Sequence, residues 1–304
     1  MRGIFYFLLT CVLLTSSSYA GTLPPDRGIY WDYSWNYGLD GASLDNPDAA
    51  LADLKAMGVK RVHIWLNDQP RTQRDIRCDQ TFAYSSDWNR ERAGKFVAAL
   101  QSAGFHVALT ISPWVTTQTY LDSLAHGPLL IARDAKKPVD IEYDMEANWT
   151  DGFQKALGKS CKSLINSQQA EAKLVAMTRE ISPRSQLGLS VAETYLNSHG
   201  ALLKGSDWIS PQAYRAGSVS DIWSALQAHH YERPVWFAIS AQTKGFDKGE
   251  GPGLTRAQFA AEISAVASLQ HKHTRQVPGY LIWGRREINS QFSDYGSDYL
   301  HGNQ

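Results

Sequence analysis

The segment Val139-Asp140-Ile141-Glu142-Tyr143-Asp144-Met145-Glu146 sets four carboxylates at alternate positions, with apolar or aromatic residues between them. A β-strand sends successive side chains to opposite faces, so all four acids would share one face. Carboxylates crowded in that way raise one another's pKa. One carboxyl kept protonated beside others kept ionised is what acid-catalysed cleavage of a glycosidic bond requires. The same alternation would also suit a solvated strand with an acidic outer face. The elements around the strand decide between the two.

Apolar, β-rich runs alternate with helical patterns along the chain. Strands are expected over residues 27–35, 61–66, 106–114, 139–146, 187–193, 208–214, 234–241 and 280–284. Helices are expected over 47–57, 89–102, 167–181, 220–229 and 255–270. The third and fifth helical units are the weakest, and residues 123–137 carry Gly127 and Pro128, which break the helical pattern. Eight strands alternating with helices, without linker or repeat, give an α/β protein folded as a single (β/α)8 TIM barrel. A doubly wound open sheet is the competing architecture, but no Gly-rich phosphate turn follows the first strand.

Barrels of this kind carry chemistry at the C-terminal ends of their strands. There the chain places Asp32 in the end of the first strand, Trp114 at the end of the third and Glu146 at the end of the fourth. Gln212-Ala213-Tyr214-Arg215 ends the sixth strand and Trp283 the eighth. Tryptophans recur at these ends, although any one of them would serve equally well in core packing.

Composition narrows the partners. Thirty basic and thirty acidic side chains among 304 residues give a formal net charge of zero, which argues against nucleic acid and gives no electrostatic reason to bind a membrane. Ten tryptophans and fourteen tyrosines suit stacking against a polysaccharide or glycan, with core packing taking a share. Residues 1–20 read as a signal peptide: Arg2, an apolar run over 4–14, and Ser18-Tyr19-Ala20 before Gly21. Cys11 lies inside the apolar run rather than at its end, and no later segment is apolar enough for membrane insertion. The expectation is a secreted or periplasmic protein with one domain over 21–304.

Two cysteines remain, Cys78 and Cys161, and in an oxidising compartment they would form one disulfide, the alternative being two buried thiols. No metal or cofactor is expected. His229-His230 and His271-Lys272-His273 sit in polar, helical surroundings that read as solvated surface.

With these residues in place the chain resembles the glycoside hydrolase family 18 chitinases, whose fourth strand ends in Asp-x-x-Asp-x-Asp-x-Glu. Glu142-Tyr143-Asp144-Met145-Glu146 matches its last part, with Glu142 in place of an aspartate and Asp140 out of register. Gln212-Ala213-Tyr214-Arg215 is similar to that family's Met-x-Tyr-Asp, keeping only the tyrosine, and Gly279-Tyr280-Leu281-Ile282-Trp283 is similar to its Gly-x-x-x-Trp. The resemblance implies substrate-assisted hydrolysis. Glu146 would be the general acid, and Asp144 would orient the N-acetyl group whose oxygen attacks the sugar. Tyr214 would donate to that acetamide and Trp283 would floor the sugar site. Glu142 and Asp140 would share protons and hydrogen bonds with Asp144 and help tune Glu146. Arg215, standing where the family has aspartate, could bind a lactyl or stem-peptide carboxylate and move the substrate from chitin toward peptidoglycan.

Two other readings remain open. A weaker resemblance to the glycoside hydrolase family 25 muramidases would pair Asp32 with Asp144 and Glu146, although Asp32 stands two positions from that family's aspartate. A sugar-binding barrel without catalysis would keep the groove and lose the acid's function.

Overall fold

The computed structural model describes residues 26–31, 47–67, 78–84, 89–113, 115–145, 161, 163–192, 196, 200–240 and 254–283. Its strands are β1 (Asp26–Trp31), β2 (Arg61–Trp65), β3 (His106–Ile111), β4 (Asp140–Met145), β5 (Leu187–Ala192), β6 (Trp208–Ala213), β7 (Trp236–Ser240) and β8 (Gly279–Trp283). They pair in parallel, each with its neighbour in sequence, and β8 closes on β1. The helices are α1 (Asp48–Ala56), α2 (Arg90–Ser102), α3 (Gln118–His126), α4 (Pro128–Asp134), α5 (Ser167–Ile181), α6 (Gly200–Gly205), α7 (Ser218–Ala228) and α8 (Arg256–Lys272). This is the (β/α)8 barrel expected from the alternation.

Local chemistry sets the boundaries. Asn89 and Thr255 cap α2 and α8, the latter in a reciprocal capping box with Gln258. Gly104, at φ 95°, takes the left-handed turn after α2 that a side chain would resist. The third helical unit starts earlier than expected, at Gln118 with Thr117 as its cap, and is broken at Gly127, as the sequence suggested, into α3 and α4. Pro128 occupies the first turn of α4, where no backbone N–H is needed, so it starts a helix rather than ending one. Strand β3 stops at Ile111 because the Ser112 N–H leaves the ladder and donates to the Asn67 side chain at 3.0 Å.

Two cores result. Outward residues such as Ile29, Ile64, Leu109, Ile141, Tyr143 and Val191 pack beneath the helices. The inward residues fill the barrel in tiers, as the alternating pleat requires. Arg61, Asp140 and Trp208 form the lowest tier; His63, Glu142, Ser210 and Leu281 the next; Trp65, Asp144, Gln212 and Trp283 the uppermost. Gly188 makes room for the large members, since a Cβ there would collide with the Trp208 indole.

Cys78 and Cys161 are joined by a disulfide, with Cα atoms 5.4 Å apart across 83 residues of chain. It ties the segment after β2 to the segment after β4, on the face where the strands end. Among the described residues no helix is long and apolar enough to cross a membrane. The leader expected over residues 1–20 lies outside the described residues.

Candidate active site

The acidic strand faces inward. Asp140, Glu142 and Asp144 are 1%, 0% and 2% exposed, which rules out an acidic outer face. Burial at that level demands partners for every carboxylate, and each tier supplies a different set.

At the bottom, Arg61 Nη2 donates to Asp140 Oδ2 at 2.5 Å, and its guanidinium lies over the Trp208 and Trp236 rings at 4.6 and 5.0 Å. Arg61 Nε donates to His63 Nε2 at 2.8 Å, and His63 Nδ1 lies 2.8 Å from Glu142 Oε2. Because Nε2 receives a proton donor, the histidine proton must sit on Nδ1 and be given to Glu142. Thr110 Oγ1 donates to the same oxygen at 2.6 Å, while Tyr30 Oη and Ser210 Oγ serve Oε1.

These contacts correct two expectations. Asp140 and Glu142 do not share protons with Asp144 through the contacts seen here: Asp140 is bound to Arg61 and Glu142 is boxed by side-chain donors. Nor is the Glu142 carboxyl raised by its acidic neighbours. Burial pushes it up, but the hydrogen bonds it accepts from His63, Ser210 and Thr110 act the other way, and its carboxyl lies below the usual range. Glu142 is fully enclosed in the middle tier, one step along β4 below Asp144.

Asp144 occupies the uppermost tier. Gln212 Nε2 donates to Oδ1 and Ser112 Oγ to Oδ2, both at 3.0 Å. Ser112 is itself pinned: Asn67 grips its backbone N–H and C=O, and Tyr120 Oη donates to the same carbonyl. Gln212 on β6 and Ser112 just past β3 thus both aim neutral donors at Asp144.

Beside it stands an aromatic wall. Trp283 meets Tyr30 and Trp65 edge-on at ring separations of 5.0 and 4.9 Å, and half-buried Tyr214 packs against the same cluster. Gln212, Tyr214 and Trp283 thus gather around the top tier with Asp144. Arg215 does not join them. It points to the following helix, where its Nη2 pairs with Asp221 at 3.1 Å, both side chains more than half exposed. Asp32, Trp114 and Glu146 lie outside the described residues. Among the described residues, no group of three or more His, Cys, Asp or Glu could hold a metal ion.

Several residues that do most to shape the site were not among those singled out in the sequence: His63, Arg61, Tyr30, Thr110 and Ser210. A signal existed in the polar or aromatic alternation of Arg61-Val62-His63-Ile64-Trp65 and Trp208-Ile209-Ser210-Pro211-Gln212. The partners those residues find across the barrel were not readable from it.

Burial holds the His63 ring below the ordinary histidine value, and it does the same for half-exposed His106 beside Asp140. The consequence for stability has a definite sign. Below about pH 6.5 the unfolded chain takes up protons that these folded rings refuse, so stability is full above that value and drains as pH falls. The urea midpoint should decline between about pH 7 and pH 5, and His63→Asn should flatten that decline.

No protein-family model matches the chain, and no curated protein sequence does so. Solved structures do. A GH113 β-1,4-mannanase superposes with a TM-score of 0.55 at 11% identity, covering 92% of this chain and 99% of that one. A fungal β-1,4-galactanase gives 0.55 at 14% identity, covering 85% and 88%. A GH18 chitinase from Pseudoalteromonas aurantia gives 0.51 at 13% identity, covering 91% and 98%. At such identities the likeness is one of fold: this chain is a (β/α)8 barrel similar to those of several glycosidase families.

Proposed function

We propose that the protein is a glycoside hydrolase that cleaves an N-acetylhexosamine-containing polysaccharide, chitin-like or peptidoglycan, by substrate-assisted acid catalysis. The observation that carries this reading is Asp144, oriented by Gln212 and Ser112 in the top tier beside the Trp283 wall. Glycosidase barrels as structural neighbours agree with it.

In this mechanism Glu146, two residues beyond Asp144, gives its proton to the glycosidic oxygen as the bond to the sugar carbon breaks. The substrate's acetamide oxygen attacks that carbon and forms a cyclic oxazolinium. Asp144 accepts the acetamide N–H and faces the positive charge as it grows, which is where a fixed carboxylate helps most. Tyr214 donates to the acetamide, and Trp283 lies under the sugar ring. Water then opens the ring, returning a proton to Glu146. With Asp221 already holding the Arg215 guanidinium, a chitin-like polymer needs no further rearrangement, whereas a stem-peptide carboxylate would have to displace that pair.

The test is the acetyl group itself. Chitooligosaccharides should be cleaved, and the same oligomers with every N-acetyl group removed should not. Equal cleavage of both would rule out the acetamide as nucleophile and favour a protein carboxylate, as in the muramidase-like use of Asp32.

A further inference from the structure

The buried line from Asp140 to Glu142 is more elaborate than core packing requires. Arg61 spends one arm on Asp140 and another on His63, and His63 passes its remaining proton to Glu142. Glu142 is also faced by the Tyr30 hydroxyl from β1, Thr110 from β3 and Ser210 from β6. Along its own strand lie Asp140 below and Asp144 above, and Tyr214, just past β6, packs against the cluster that holds Tyr30. From β3 the half-exposed His106 ring comes within 3.7 Å of Asp140, and burial and the Arg61 charge hold it below the ordinary histidine value. Among the described residues of this group the one fixed cation is thus Arg61, and it is committed to Asp140. The line therefore contains one more carboxylate than cation before Asp144 is counted.

We propose that His63 is a positioning residue: through its Nδ1 proton it holds Glu142 as an ionised carboxylate in one orientation, one tier beneath Asp144, with Arg61 and Asp140 fixing His63 in turn. The geometry excludes the alternative of an imidazolium. A second ring proton on Nε2 would point at the Arg61 Nε–H, donor against donor. An apolar side chain of similar size would fill the space equally well, so the polar line has a purpose beyond volume. A fixed negative charge below the reacting sugar favours the positive charge that develops there, and it costs no reorganisation when that charge appears. This consequence rests on the hydrolase reading proposed above; the state of His63 and Glu142 does not.

Two measurements on the full-length protein test it separately. In 15N-histidine-labelled protein, His63 should show one protonated nitrogen, Nδ1, and keep that state as pH is lowered through the ordinary histidine midpoint of about 6.5. A proton on Nε2, or a doubly protonated ring at neutral pH, would overturn the proposal. The second measurement is kinetic. His63→Phe removes the donor, whereas His63→Asn keeps an N–H close to the Nδ1 position. The Phe variant should lose roughly tenfold or more in kcat with little change in KM, as expected when a supporting contact is lost and a reacting group shifts. The Asn variant should recover most of that loss. Equal kcat in all three folded proteins would overturn the positioning role. A wild-type protein inactive on every glycan would instead defeat the hydrolase reading, and the labelling result would still decide the state of His63.

Discussion

Replacing Arg61 with Met should lower stability by about 3–5 kcal/mol, the usual result of removing one partner from a buried ion pair. Asp140 is 1% exposed and cannot recover its hydration, so the lost guanidinium leaves a carboxylate enclosed without its charge partner. The loss spreads upward as well. His63 Nε2 forfeits its donor, and the Trp208 and Trp236 rings lose the cation lying over them. Methionine is a fair filler, since its thioether packs well against aromatic rings, so the cost is electrostatic rather than a cavity. The double replacement Arg61→Met with Asp140→Leu should recover much of the stability, because removing both charges also removes the burial penalty. Urea unfolding of the three proteins checks this. A single variant within about 1 kcal/mol of wild type would mean that the pair contributes little to the fold.

Much of this architecture could be read before any coordinates. Strand and helix alternation predicted the barrel, and the pleat of residues 140–145 predicted that the acids share a face, which proves to be the inner one. The pairing of Cys78 with Cys161 followed from their being the two cysteines left beyond the expected leader. What failed was the electrostatics of that strand. From one strand alone, acids at alternate positions look like a mutually repelling set. In the barrel each meets donors from other strands: Arg61 for Asp140, His63 with Thr110 and Ser210 for Glu142, Ser112 and Gln212 for Asp144. Partners separated by 32 to 79 residues leave no periodic trace, so the sign of the Glu142 shift was not available from spacing. Gly127 and Pro128 break the helical pattern as their residue types predict, but the sequence did not show that a second helix restarts at once. Proline ends a helix from its interior but begins one from its first turn, and the chain uses it in the second way.

The second large effect falls on the reaction. Glu146→Gln preserves shape and hydrogen bonding but cannot deliver a proton, so under the proposed mechanism the step that releases the leaving sugar loses its acid. General acids of this kind contribute about 10²- to 10⁴-fold, and a loss of that size is expected here. Asp144, held by Gln212 and Ser112, would still orient the acetamide, so substrate binding should persist while turnover fails. Reducing-end release from chitooligosaccharides and from purified peptidoglycan, wild type beside Glu146→Gln, is the most direct test. Wild-type cleavage of one polymer, reduced by at least about a hundredfold in the variant with binding retained, is the predicted result. Equal release by the two proteins would remove Glu146 as the acid, and sugar binding without release by either would make the barrel a lectin-like binder.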